Sequence, residues 1–260
     1  MRLSELYVHP LKSCRGNALN EARVEVMGLQ HDRRWMVADG DRFFTGREFP
    51  RMVLIETTPD ADGITFNAPG MAPLRVERRE MRESVPTTVW RSSFNALAGS
   101  DEADFWFSDY LGANCRLLHI GEDTERRTNM GPATPVGFAD GYPVLLIGTA
   151  SLAALNSRLD TPVTMRNFRT NLVVETSEPF IEDSWRHVRV GDIELEFVKT
   201  CARCIFTTVD PTTAMLHAAE QPLATLNQFR RTDEGTMFGV NLITRNTGVL
   251  RIGDAVTVLD

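Results

Sequence analysis

The sequence predicts a mainly β protein with some α structure. Three observations carry this: short runs of alternating apolar and polar residues, turn-forming pairs between them, and few segments with a helical period. An alternating strand opens the chain over residues 3–8, and further strands are expected over 24–26, 35–37, 52–55 and 64–66, where apolar and β-branched residues cluster. Asp39-Gly40 and Asp62-Gly63 hold the residue pair of tight hairpin turns, because glycine reaches left-handed backbone at no steric cost. Residues 100–112 break the β pattern. Ser100 can cap a helix whose first turn holds Asp101, Glu102 and Asp104, and Gly112 can end it. A strand over 116–120 follows.

In the second half a buried strand is expected over 144–147, then a helix capped by Thr149 with Leu152, Leu155 and Leu159 on one face. A strand over 171–175 precedes two strand-like stretches, Ile193, Leu195 and Phe197 and then the β-branched run 205–209. A short helix near 223–229 leads to closing strands over 238–244, 249–252 and 255–259, with turns at Asn246-Thr-Gly248 and Gly253-Asp254. The longest loop spans 128–142, and loops of that length are often functional. Repeats, heptads, low-complexity tracts and a clear linker are absent from the sequence.

With 260 residues, 42% of them apolar, and no long uncharged hydrophobic run, the chain can bury a good core in one large or two small domains. The opening strand lacks the regions of a signal peptide, and four cysteines in this length do not form a disulfide framework, so cytoplasmic residence is expected. A net charge of −7 argues against general nucleic-acid or acidic-membrane binding. Of 28 basic residues only Lys12 and Lys199 are lysine. Codon bias accounts for scattered surface arginines, but a lysine kept among them points to a need for a compact ammonium.

Cys201 and Cys204, three apart and placed on a turn between two strand-like runs, are the most informative pair. A thioredoxin-type pair needs a helix start, and none is visible. A zinc site needs further ligands, but Cys14 and Cys115 stand alone and far apart. Half-buried packing and a single thiolate ligand for a soft metal, with Arg203 beside it, remain. Elsewhere Lys12, Ser13 and Gly16 share a loop able to hold an anion, although a solvated surface charge is the plainer reading of Lys12. Arg33 and Arg34 precede a buried strand, with an ion pair to Asp32 as the structural alternative, and Arg169 and Asn171 precede another. Recurring arginines at strand ends of an acidic protein point to one anionic ligand gathered from several loops.

The blocks His9-Pro-Leu-Lys12-Ser13-Cys14, His31-Asp-Arg33-Arg34-Trp35, Ala139-Asp-Gly-Tyr-Pro-Val-Leu-Leu-Ile147, Leu152-Ala-Ala-Leu-Asn-Ser-Arg-Leu159, Asn167-Phe-Arg169-Thr-Asn171, Cys201-Ala-Arg-Cys204 with Val209-Asp-Pro, and Asn246-Thr-Gly-Val-Leu-Arg-Ile-Gly-Asp254 closely resemble MOSC-domain proteins. The resemblance is to the branch with an N-terminal MOSC β-barrel region, which includes mitochondrial amidoxime-reducing components and bacterial hydroxylaminopurine-resistance reductases. It runs through nearly the whole chain. It implies two β-barrel-like domains with peripheral helices, 1–118 and 119–260, with a molybdenum cofactor (molybdopterin) between them. Cys204 would be the metal ligand and catalytic residue, Cys201 would fall back to packing, and Lys12, Ser13, Arg33, Arg169, Asn171 and Arg203 would hold the pterin and its phosphate. Gly141 and Tyr142 stand where vertebrate members carry small hydroxyl residues, so a side-chain hydroxyl contact is not expected from that loop, while a backbone contact stays open.

The implied activity is reduction of N-hydroxylated compounds (hydroxylaminopurines, amidoximes, hydroxylamines) to amines or amidines, a detoxification of N-hydroxylated bases. Sulfur transfer through a Cys204 persulfide and non-catalytic cofactor carriage are the alternatives. Longer bacterial relatives continue into a ferredoxin-like [2Fe-2S] domain. This sequence has no cysteine set for such a cluster, so electrons are expected from a separate ferredoxin- or flavodoxin-type protein. Neither nucleic acid nor membrane is an expected partner.

Overall fold

The computed structural model describes residues 1–259 and is mainly β, with short helices at the periphery. The largest sheet has nine strands. Asn17–Ala18, Leu3–Val8, Leu172–Val174, Val144–Gly148, Gly235–Thr244, Ile193–Arg203, His187–Val190 and Val256–Val258 lie side by side in that order, and Arg231–Thr232 joins Gly235–Thr244. All neighbours are antiparallel except Val144–Gly148 and Leu172–Val174, whose parallel pairing requires a crossover, supplied by a connection containing helix Thr149–Asn156. Toward its far edge the sheet turns back on its start. Arg2 bridges Ala255, with Leu3 N donating to Asp254 O at 3.0 Å and Val256 N to Met1 O at 3.0 Å. The sheet therefore curls toward a barrel without a continuous closing ladder.

The opening strand thus packs with residues far along the chain: Leu3, Leu6 and Val8 share a core with Leu146, Leu172, Val240 and Leu242. Glu21–Glu25 likewise pairs with Gly248–Arg251. A second core lies under a five-stranded sheet, ordered Glu83–Val89, Ser92–Ala98, Arg116–His119, Trp35–Asp39 and Arg42–Phe43. Helix Asp101–Leu111 buries Trp106, Phe107 and Tyr110 there against Phe66, on a third sheet of Glu56–Pro59, Gly63–Asn67 and Leu74–Glu77. Its ends are those expected, with Ser100 Oγ accepting from Ala103 N at 3.4 Å and Gly112 in left-handed backbone at φ 68°.

Several expectations are corrected. Residues 52–55 are not a strand, because Pro50 starts a 3₁₀ helix, Pro50–Leu54, and the three-residue spacing puts Met52 and Ile55 on the core side together. The run after Cys204 is also a 3₁₀ turn, Ile205–Thr208. Thr207 Oγ1 donates to Cys204 O at 3.0 Å and Thr208 Oγ1 to Ile205 O at 2.7 Å, so the threonine hydroxyls serve the turn and override β propensity. Cys201 consequently lies inside strand Ile193–Arg203 and only Cys204 lies beyond it. Gly63 does not make its turn. Asp60 Oδ1 does, accepting from Asp62 N and Gly63 N at 2.8 and 2.9 Å, while a Cβ at Gly63 would stand 2.1 Å from Val76 O. The other hairpin loop is Gly40-Asp41, one residue later than the expected pair, with Asp39 facing Arg42. Thr149 is the first helical residue and not the cap, which is Gly148.

Gly239 sits at φ 78°, where an added Cβ would be 2.6 Å from Ile147 Cγ1 and 2.8 Å from Leu146 O. Gly239→Ala is expected to destabilise the protein by about 3 kcal/mol through combined backbone strain and overpacking, read as a fall in the denaturant midpoint. An unchanged midpoint would mean that the neighbouring strand yields freely.

Candidate functional site

Lys12, Ser13, Arg33, Arg169, Asn171, Arg203 and Cys204, the seven residues singled out from the sequence, line one cavity of about 370 Å³. They arrive from different loops. Lys12 and Ser13 follow the first strand, fixed by Lys12 N donating to Trp35 O at 2.9 Å; Arg169 and Asn171 follow helix Met165–Phe168; Arg203 ends strand Ile193–Arg203. Ser13, Arg33 and Arg169 hold φ values of 68°, 49° and 55°. Side chains rarely adopt this backbone, and its concentration around one cavity marks a place where the fold sustains strain to aim groups.

Lys12 is not a solvated surface charge. It is buried, donating to Phe138 O at 2.8 Å and Asp140 Oδ1 at 2.5 Å, and burial lowers its pKa against the opposing pull of Asp140. Asp140 lines the cavity and faces its open volume, with 72% of its side chain accessible. Enclosure by the cleft walls raises its pKa, but the Lys12 ammonium and the Trp90 indole N–H outweigh this and hold it at about 2. Lys199, the second of the two lysines, lines the same cavity and donates to Glu234 Oε2 at 2.9 Å.

Arg33 fulfils both alternatives open to it. It pairs with the buried Asp32 carboxylate, donates to Asn171 Oδ1 and Arg169 O at 2.9 Å each, and still lines the cavity. Asn171 is a clamp: Oδ1 also accepts from Leu145 N at 3.1 Å and Nδ2 donates to Tyr7 O at 3.1 Å. Arg169 donates to Cys14 O, and burial together with the like charge of Arg33 lowers its pKa to about 10. Arg203 donates through Nε to Phe238 O at 2.8 Å and through Nη1 to Phe168 O at 3.1 Å, whereas its buried Nη2 has no partner among the described residues. Lys12, Arg33, Arg169, Lys199 and Arg203 thus face one lining carboxylate, Asp140, so the cavity suits an anion.

The cysteines are unequal. Cys204 is exposed and Cys201 half-buried, but both line the cavity, so Cys201 is not confined to packing. Residues 201–203 are strand and Cys204 is itself extended at φ −125° and ψ 176°. By the rise of extended chain the two Cα atoms lie about 10 Å apart. A disulfide tolerates no more than about 7 Å. Among the described residues no group of three or more His, Cys, Asp or Glu is placed to hold a metal, so the cavity does not by itself supply a full set of protein ligands.

Sequence reasoning missed Asp140 and Arg126. Arg126 is buried beneath the loop before Asp140, donating to Ala139 O at 2.7 Å and Asp140 O at 3.2 Å, which holds the carboxylate at the cavity. Asp140 stood inside one of the quoted blocks, and its charge beside several basic loops was the available signal.

Residues 1–114 match the MOSC N-terminal beta barrel domain, and residues 133–257 match the MOSC domain. Mitochondrial amidoxime-reducing component 1 of Danio rerio is 35% identical over 272 residues, covering 98% of this chain and 83% of its own. The Homo sapiens component 1 is 33% identical over 284 residues, covering 99% and 82%. Component 2 of Bos taurus is 32% identical over 276 residues, covering 98% and 82%. Two matched domains in order, and identity of this degree along nearly the whole chain, place the protein in the MOSC family that includes the mitochondrial amidoxime-reducing components.

Proposed function

We propose that this protein is a molybdenum-cofactor-dependent reductase of N-hydroxylated compounds. The observation that carries the reading is one exposed thiol, Cys204, set among five cationic side chains in a single cavity. A phosphate-bearing pterin that brings its own two sulfur ligands needs cationic anchors and one protein thiolate, and this donor set has both. The partnerless Nη2 of Arg203 is a buried donor awaiting an acceptor.

When bound, the cofactor supplies the two-electron redox chemistry. Lys12, Arg33, Arg169 and Arg203 would hold its anionic parts with Ser13 beside them, and Cys204 would supply the protein sulfur to its metal. Asn171 acts one step back by fixing the Arg33 guanidinium. The overall change takes R–NHOH, two electrons and two protons to R–NH2 and water. Electrons come from a separate ferredoxin- or flavodoxin-type protein. In this reading residues 1–118 and 119–260 are the two units of the molecule, the first strand of one being woven into the sheet of the other. The proposed site of action is the cytoplasm, although the curated relatives are named for mitochondria; no described helix is long and apolar enough to cross a membrane.

Protein made in a host able to synthesise the cofactor is expected to hold about one molybdenum per chain and to reduce benzamidoxime or hydroxylaminopurine with reduced viologen but not with NADPH alone. Stoichiometric zinc without molybdenum would sink the proposal. The exposure of Cys204 also permits sulfur transfer through a persulfide, which requires activity without bound molybdenum. Molybdenum without turnover by viologen would instead mark a carrier.

A further inference from the structure

The hairpin of Glu83–Val89 and Ser92–Ala98 turns through two residues, Trp90 and Arg91, since Val89 faces Ser92. Trp90 has φ 57°. Two-residue hairpin turns place Gly, Asn or Asp in such backbone, and a bulky side chain there is an outlier. Trp90 is also 50% exposed, whereas Trp35, Trp106 and Trp185 are buried. Neither hairpin geometry nor core burial accounts for this residue.

Its contacts point to the cavity. Trp90 Nε1 donates to Asp140 Oδ1 at 3.1 Å, the same oxygen that receives Lys12 Nζ. Phe43 meets the indole edge-on with ring centroids 5.2 Å apart, and the Lys12 ammonium lies 5.0 Å from the Phe43 ring. Arg47 stacks 4.6 Å from the Trp90 ring. The neighbouring segment is equally close to the site, because a Cβ on Gly46 would stand 2.1 Å from the cavity-lining Phe206. The hairpin tip is thus braced beside the cavity-lining Asp140 by a hydrogen bond, an aromatic edge and a guanidinium, while Trp90 stays half exposed.

We infer that Trp90 is a specificity-determining residue: its open indole surface forms an aromatic subsite at the cavity mouth that stacks the planar conjugated ring of an N-hydroxylated substrate, selecting aryl over alkyl compounds. This rests on the reductase reading for the substrate class. The Asp140 hydrogen bond fixes the ring in place, and the strained turn presents it. Ring stacking is worth about 0.5–1.5 kcal/mol, which sets the selectivity at up to about tenfold.

Trp90→Asn suits the left-handed turn and removes the ring, while Trp90→Phe keeps a ring and loses the N–H. On molybdenum-loaded protein with reduced viologen, the KM for benzamidoxime relative to that for acetamidoxime is expected to rise by about two- to tenfold in the Asn variant and to return most of the way in the Phe variant. Independently of turnover, benzamidoxime should quench the indole emission of the wild-type protein saturably, acetamidoxime should not, and the Asn variant should lose the effect. Equal KM changes for both compounds, or no saturable quenching in the wild type, overturns the subsite. Saturable quenching in a wild-type protein that reduces neither compound supports the subsite and removes the reductase reading, so the two failures are distinct.

Discussion

Cys204→Ser is expected to lower viologen-driven turnover at least a thousandfold, while Cys201→Ser keeps activity within about tenfold of the wild type. A serine oxygen is a hard donor that stays protonated where a soft thiolate is required, so under the proposed function the metal would lose its one protein ligand. Cys201 shares the cavity but lies inside the strand, about 10 Å along extended chain from Cys204, too far to substitute for it or to pair with it. The measurement is steady-state turnover together with molybdenum content for both variants. Equal loss in the two would reject the single-thiolate arrangement and favour chemistry that uses both sulfurs.

Arg33→Ala is expected to cost about 3 kcal/mol of stability or more and to release the cofactor. Its guanidinium joins Asp32, Asn171 Oδ1 and Arg169 O, and removing it leaves a buried carboxylate without its cation. Breaking one side of a buried ion pair typically costs 3–5 kcal/mol, because the remaining charge stays desolvated. Arg33→Lys should rescue little, since an ammonium cannot span three acceptors with a planar fork. Denaturant midpoints and molybdenum content of Arg33→Ala, Arg33→Lys and the wild type decide this. A lysine variant as stable and as metal-rich as the wild type would mean that charge alone matters at this position.

Much of this was legible in the sequence where local physics decides. Helix Asp101–Leu111 carried its own cap and stop at Ser100 and Gly112, and strand Leu3–Val8 and helix Leu223–Phe229 fall on the expected residues. Legibility failed where a side chain changed the meaning of a local pattern. Pro50 and the threonine hydroxyls turned β-like runs into 3₁₀ turns, and Asp60 took over the work expected of Gly63. Strands Glu83–Val89 and Ser92–Ala98 went unread because Pro86, tolerable on an edge strand, interrupts the pattern of the first. For the site, the loops that recurred with arginine did converge on one cavity. The left-handed backbone at Ser13, Arg33 and Arg169 could not be foreseen, because only glycine advertises it in sequence.

The pairing of the first strand with Leu172–Val174 has a consequence for how the protein is made. Ser4 Oγ donates to Val173 O across 169 positions of sequence. At ribosomal speeds of about 5–20 residues per second, the opening strand emerges roughly ten to thirty seconds before the strand it pairs with. During that interval the strand has its pairing with Asn17–Ala18 and the loop bearing Lys12 has its backbone bond to Trp35, but the edge of the strand that receives Leu172–Val174 stays open and the core of Leu3, Leu6 and Val8 lacks Leu172, Val174 and Val240. The cavity is therefore completed only late in synthesis, and a nascent chain stalled before residue 172 presents an unpaired strand edge to chaperones and to other copies of itself.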